Sequence, residues 1–143
     1  MKKNLLALML AASAGAFAAN HEVKMLDTGK DGGMVFEPGY VKARPGDTVT
    51  FKAVNSGHWV QSKALPDGAA DFLSEDGKDF TLKLDKEGVY VYVCPPHRMM
   101  NMSGVIQVGK PVNKAKAQAV ADELEKRAMQ NKGRLKKYME QVK

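Results

Sequence analysis

The chain has a single cysteine, Cys94, in 143 residues. No intrachain disulfide can form, so the staple that many small exported domains rely on is excluded, and one thiol is left needing a chemical reason. Histidine is almost as scarce: His21, His58 and His97 are all there are, which confines imidazole chemistry to three positions. A membrane-spanning helix needs roughly 20 continuous apolar residues, and no run reaches that length; the stretch from Leu5 to Ala12 breaks up at Ser13 and Gly15. Internal repeats and low-complexity segments are also missing, which excludes a repeat array.

Nor does the body of the chain carry an excess of positive charge. The formal net charge is +6, with 22 basic and 16 acidic residues. Lys110 to Lys143 holds 10 basic and 4 acidic residues, whereas Ala19 to Gly109 holds 10 and 12. The basic excess therefore belongs to the tail, where acids interleave with bases as on a solvated helix face. That pattern, together with an exported address, argues against nucleic acid as a partner.

What is present starts with an export signal. Lys2 and Lys3 supply the charged start, Leu5 to Ala12 the apolar stretch, and Ala16-Phe17-Ala18 the small-x-small cleavage site. Residues 1–18 are read as a signal peptide that delivers the remainder to the periplasm with no membrane span after processing. About 125 residues then remain, enough for one domain with a real core.

That remainder divides into two patterns. From residue 19 to 109, short apolar-polar stretches alternate with turn signals such as Gly32-Gly33, Pro45-Gly46-Asp47 and Gly88. In Phe80-Thr81-Leu82-Lys83-Leu84 every second residue is apolar, the mark of a strand with one buried face. The fold class is all-β, an antiparallel sandwich or barrel. Val60 to Lys78 shows no clear strand and reads as an excursion with a short helix. Residues 110–143 change period: with Asn113 as N-cap, Ala117, Val120, Ala121, Leu124 and Ala128 fall on one helical stripe. Gly133 then separates a second short helix bearing Leu135, Tyr138, Met139 and Val142. Helices this short are marginal alone, so both should dock on the sandwich.

The chemistry concentrates in Cys94-Pro95-Pro96-His97-Arg98-Met99-Met100-Asn101-Met102. A strand ends at the cysteine, and one tight loop then offers a thiolate, an imidazole three residues on, and thioethers beyond it. A second imidazole must come from elsewhere, and His58, after Gly57 in a turn, is the candidate besides the terminal His21. Two imidazoles and a thiolate with a weak thioether suit copper as both Cu(I) and Cu(II), since soft sulfur favours the reduced ion and imidazole accepts both. Zinc usually takes four strong N, S or O donors, and methionine is a poor ligand for it. A thiol nucleophile would need an oxyanion hole and a third residue to orient its base, for which the sequence offers no candidate, so the chain is not read as an enzyme. The bland alternative makes Cys94 a small buried hydrophobe and the methionines gap-fillers of a β core; it leaves the conjunction of Cys94, His97 and Met102 unexplained.

These residues carry a resemblance. Glu22-Val23-Lys24-Met25-Leu26, Gly33-Met34-Val35-Phe36-Glu37-Pro38, Pro45-Gly46-Asp47-Thr48-Val49-Thr50-Phe51, Gly57-His58, the loop from Cys94 to Met102 and the two C-terminal helices are similar to the pseudoazurins of the cupredoxin family. The resemblance implies a Greek-key cupredoxin β-sandwich of about eight strands with two C-terminal α-helices. It also implies a type 1 (blue) copper site formed by His58, Cys94, His97 and Met102 in the pattern Cys-x2-His-x4-Met. The related amicyanins use Cys-x2-His-x2-Met, which makes Met100 the rival axial ligand. By the same resemblance the protein is a monomeric periplasmic one-electron carrier cycling between Cu(I) and Cu(II). Its partners are transient redox proteins, commonly nitrite or nitrous oxide reductase in denitrification. A periplasmic copper chaperone or storage protein is the alternative function.

Three departures from the family pattern stand near the site. Trp59 replaces the usual Asn after the upstream histidine, and Pro95 replaces the hydroxyl residue after the cysteine, so the side-chain link between the two ligand loops is absent. The Trp59 amide remains a possible donor to the Cys94 sulfur, and Pro96 has no N–H to give. Around the exposed edge of His97, where the family carries lysines, Thr28, Ser56 and Val93 are uncharged, leaving Arg98, Lys24, Lys30 and Lys63 to replace part of that ring. Met34 and Pro96 are expected to form the apolar docking surface at that edge. Lastly, cleavage between Ala18 and Ala19 would expose Ala19-Asn20-His21, whose amine, two backbone nitrogens and imidazole can surround Cu(II) or Ni(II) in a square plane; the alternative is that His21 simply begins an edge strand.

Overall fold

The structure, a computed structural model, describes residues 17–143. Nearly all of the export signal assigned to residues 1–18 therefore lies outside the described residues. Eight strands form two four-stranded sheets: β1 (Asn20–Gly29), β2 (Gly32–Glu37), β3 (Tyr40–Ala43), β4 (Asp47–Ala53), β5 (Gln61–Ala64), β6 (Phe80–Leu84), β7 (Gly88–Val93) and β8 (Ser103–Val108). One sheet has the order β2-β1-β4-β6 and the other β3-β8-β7-β5. β1 with β4 and β3 with β8 run parallel, and the remaining pairs are antiparallel. With helices α1 (Lys114–Arg127) and α2 (Arg134–Glu140) at the C-terminus, this is the sandwich-plus-helices architecture that the sequence implied. No helix among the described residues is long and apolar enough to cross a membrane.

β7 and β8 are the centre of the molecule, because every residue in both is buried. The two-residue period sends alternate side chains to different cores. Tyr90, Tyr92, Ile106 and Val108 meet Met25, Phe36, Phe51 and Leu84 between the sheets, while Val89, Val91 and Val105 meet Ala117, Ala121, Leu135 and Met139 of the helices. Phe36 and Phe51 both pack edge-on against Tyr92, with ring centroids 4.9 and 5.0 Å away. The helices thus cover the outer face of one sheet, as their marginal length required. Gly39 makes room for that docking: a Cβ there would lie 2.0 Å from the Tyr138 ring.

Two local expectations are corrected. The excursion from Val60 to Lys78 holds no helix; it contains β5, pairing with β7 through Gln61↔Val93, Ser62↔Tyr92 and Ala64↔Val91. Gln61, Ser62 and Lys63 gave no apolar alternation because the backbone and serine hydroxyls do the stitching. The Phe72 amide donates to the Ser62 hydroxyl at 3.0 Å and the Val60 amide to the Ser74 hydroxyl at 2.9 Å. Asn113 does precede α1, but its side chain caps nothing there. It accepts from the Val89 amide at 2.6 Å and donates to the Val89 carbonyl at 2.9 Å, tying the helix to β7 instead.

Residues 19–21 lie against β4. Asn20 and His21 pair with Thr48 and Val49, the Ala19 amide donates to Asp47 at 2.8 Å, and His21 Nε2 lies 2.8 Å from the other Asp47 oxygen. This is the strand reading of His21; a square-planar site at the chain start would first have to break these bonds.

Candidate metal centre

The loop after β7 is short, and hydrogen bonds across its base give it a fixed shape. Pro95 and Pro96 open a 3-10 helix, Pro95–Met100, where a missing N–H costs little because the first turn has no partner for it. The His97 amide donates to the Cys94 carbonyl at 3.0 Å, the Met102 amide to the His97 carbonyl at 3.2 Å, and the Cys94 amide to the Met102 carbonyl at 2.9 Å. Asn101 turns the chain back with φ 55°, a left-handed conformation that asparagine tolerates better than most residues. The loop is anchored at both ends in the two most deeply buried strands.

His58 arrives from the opposite side, in the β4–β5 connection. Gly57 has φ 85°, which a side chain would strain. Its amide donates to Asp76 at 3.0 Å, and the Gly77 amide donates to the His58 carbonyl at 3.2 Å. Together these place the His58 imidazole, fully buried, over Cys94.

The three side chains converge. His58 Nδ1 and His97 Nδ1 are 3.2 Å apart, and Cys94 Sγ lies 3.8 Å from the first and 3.4 Å from the second. A point at the centre of that triangle is about 2 Å from each donor, within the range of about 2.0–2.3 Å for first-row metal bonds to imidazole nitrogen and thiolate. Among the described residues this is the one group of three histidine, cysteine or carboxylate side chains with such spacing. The donor set, two imidazoles and one thiolate, fits copper in both oxidation states.

Protonation is arranged to match. Burial pushes the Cys94 thiol up to about 11, against the backbone N–H groups of Trp59 and His97, which favour the thiolate. The free site is therefore a thiol at neutral pH, and metal binding releases its proton. Burial, with the neighbouring His58, holds the His97 imidazole below its ordinary value, so it stays neutral and its nitrogen is free to donate. The Trp59 amide thus acts on the thiol in the sense expected of a donor, and the His97 amide does the same, which the sequence reading missed.

A further residue went unforeseen. Asp27 Oδ1 lies 2.7 Å from His58 Nε2, so a carboxylate accepts the proton on the far nitrogen and leaves Nδ1 directed at the centre. Nothing local marks Asp27, which is 31 residues away in sequence; it reaches His58 because β1 runs beside β4. Of the methionines, Met102 is fully buried in the same core cluster as Cys94, Met100 is half-buried and Met99 is 59% exposed. His21 is remote, engaged with Asp47.

His97 is the donor that reaches the surface; Cys94 and His58 are sealed. Arg98, Lys24, Lys30, Thr28 and Ser56 are exposed and Lys63 is half-buried. Val93, taken as one of the uncharged docking positions, is corrected: it is 2% exposed and paired with Gln61 and Ser103 inside its sheet.

The comparisons with known proteins agree with this centre. Residues 23–109 match the family model for copper binding proteins of the plastocyanin/azurin family. A putative pseudoazurin of Rhizobium leguminosarum bv. viciae is 46% identical over 110 residues, covering 75% of this chain and 72% of its own. The pseudoazurin of Paracoccus pantotrophus is 43% identical over 105 residues, covering 72% of each chain. The crystal structure of pseudoazurin from Methylobacterium extorquens AM1 superposes with a TM-score of 0.79 at 35% identity, covering 87% of this chain and 99% of that one. With its two sheets, helical extension and convergent thiolate and imidazoles, the chain belongs to the pseudoazurins of the plastocyanin/azurin family of copper-binding cupredoxins.

Proposed function

We propose that this copper-binding electron carrier works in the periplasm as a monomer, holds its metal with His58, Cys94, His97 and Met102, and delivers single electrons to a terminal reductase such as nitrite or nitrous oxide reductase. The observation that supports it most is the convergence of His58 Nδ1, Cys94 Sγ and His97 Nδ1 within 4.8 Å of one another at the end of the two most buried strands. Copper, when bound, supplies a one-electron couple. The chain supplies a site that both oxidation states accept, a carboxylate that aims His58, and two amides that shield the sulfur. As a cupredoxin it transfers electrons and is not an enzyme.

Electrons would pass through the His97 edge. Beside Arg98, burial first, and then the guanidinium groups of Arg98 and Arg127, hold the Lys63 ammonium below the ordinary lysine value. These three cations and the Glu123 carboxylate flank a groove of about 360 Å³ with Val120 and Leu124 in its wall, leaving a net positive rim. Positive charge around an apolar floor suits brief encounters with acidic partners.

The chaperone or storage reading is disfavoured by burial: handing copper to an acceptor needs ligands within reach, and Cys94 and His58 are both 0% exposed. The deciding experiment is the visible spectrum of the copper-loaded protein. An intense thiolate-to-Cu(II) band, bleached by one electron and absent from Cys94→Ala, is the expected result; a colour retained in Cys94→Ala would end the proposal.

A further inference from the structure

Arg134 is a buried charge with no carboxylate partner. It is 6% exposed and makes no ion pair among the described residues. Its guanidinium instead donates to five backbone carbonyls. Nη2 reaches Asp31 at 2.7 Å and Gly33 at 2.9 Å; Nη1 reaches Met34 at 2.7 Å, Asn101 at 3.3 Å and Met100 at 3.4 Å. The first three belong to the β1–β2 turn and the start of β2, the last two to the loop that carries His97 and Met102. A buried carbonyl without a donor is costly, and here the four N–H bonds of the two Nη groups serve five of them, Nε having no partner.

The rest of the connection between α1 and α2 converges on the same loop. The amides of Met129 and Gln130 donate to the Met99 carbonyl at 2.8 and 3.1 Å. Asn131 Nδ2 donates to the Met100 carbonyl at 2.9 Å. Asn101, the left-handed residue just before Met102, donates from its side chain to Glu125 at 2.8 Å and to the Asn131 carbonyl at 2.9 Å. Glu125 in turn accepts from the Gly133 amide at 2.9 Å, so the same carboxylate fixes the start of α2. Three successive loop carbonyls, those of Met99, Met100 and Asn101, are held by the extension.

We infer that the C-terminal extension is a clamp on the metal loop, with Arg134 as a positioning residue that fixes where Met102 sits relative to Cys94 and His97. Leu135, Met139 and Ala121 secure the helices to the sandwich, and Arg134, Asn131 and Glu125 convert that attachment into a fixed loop geometry. A loop held in one shape in both oxidation states reorganises little when an electron moves.

This inference rests on the copper reading for its spectroscopic arm and on the loop alone for its exchange arm. Arg134→Lys keeps the charge but cannot span five carbonyls. In the metal-free protein the amides of Asn101 and Met102 should exchange about tenfold faster in this variant, as expected for the loss of a charged hydrogen bond. In the copper-loaded protein the position and intensity of the thiolate-to-Cu(II) band should change. Val142→Ala, buried on the sandwich beyond the end of α2 and away from the loop, should lower Tm while leaving both readings at the wild-type value. Should Arg134→Lys fail to fold, Asn131→Ala removes the 2.9 Å bond to Met100 with the guanidinium left in place, and the same readings apply. Wild-type exchange and an unchanged visible band in the folded loop variant, or the same faster exchange and altered band in Val142→Ala, would overturn the clamp. A wild-type protein that takes up copper without the blue band would refute the copper reading alone, because loop exchange would still decide the clamp.

Discussion

Asp27 Oδ1 and His58 Nε2 are 2.7 Å apart, joining an exposed carboxylate to a fully buried imidazole whose other nitrogen faces the metal centre. A negative charge at that distance favours the more positive state of the site and fixes the ring. Asp27→Asn should raise the reduction potential, and Asp27→Ala should in addition weaken copper binding by roughly ten- to a hundredfold. Voltammetry and competition with a copper chelator check the two effects; an unchanged potential in both variants would show that the carboxylate binds the buried histidine without tuning the metal.

The axial thioether can be identified by paired substitutions. Met102→Leu should shift both the potential and the visible spectrum, since Met102 is fully buried beside the loop's anchoring bonds, whereas Met100→Leu, half-buried, should change either far less. The opposite ranking would assign the shorter Cys-x2-His-x2-Met geometry to this loop.

Charge at the His97 edge should govern encounter rather than redox chemistry. Arg98→Glu should lower the second-order rate with an acidic copper or haem reductase and flatten its dependence on ionic strength, with the potential little changed. Stopped-flow kinetics at two salt concentrations test this, and an unaltered rate and salt slope would place the port on another face.

Asp47 links acid stability to the start of β1. The Arg44 amide, the His21 side chain and the Ala19 amide hold its carboxyl at about 2, below the ordinary 3.8. A folded-state value lowered in this way stabilises the protein above about pH 4, and that contribution is lost as pH falls through the folded value near 2. Asp47→Asn should therefore melt earlier than wild type at neutral pH, and the gap should close between about pH 4 and 2. Thermal melts across that window measure it; a constant gap would mean that the ion is not what matters.

Much of this was legible in the sequence because it was written locally. Alternation in Phe80–Leu84 gave a half-buried strand, the three- and four-residue steps from Ala117 to Ala128 gave a helix, and the lone cysteine followed by His97 gave the loop. What stayed hidden depends on chain segments meeting. β5 is built from Gln61, Ser62 and Lys63 and exists because β7 offers it an edge. Asn113 sits where a cap belongs, yet Val89 claims its side chain. Asp27 and Arg134 act on the site from 31 residues before His58 and 33 residues after Asn101, distances at which no spacing rule operates.

Of the three converging donors, only His97 touches solvent, and it does so on one side of the molecule. The protein is in that respect a sealed vessel with one mouth. On the proposed port, whatever fills it and whatever empties it would occupy the same opening, so the two would not be seated together, and each visit would end before the next begins. Such a shuttle would alternate between donor and acceptor, and an excess of either partner would slow the other by simple occupation of the shared face.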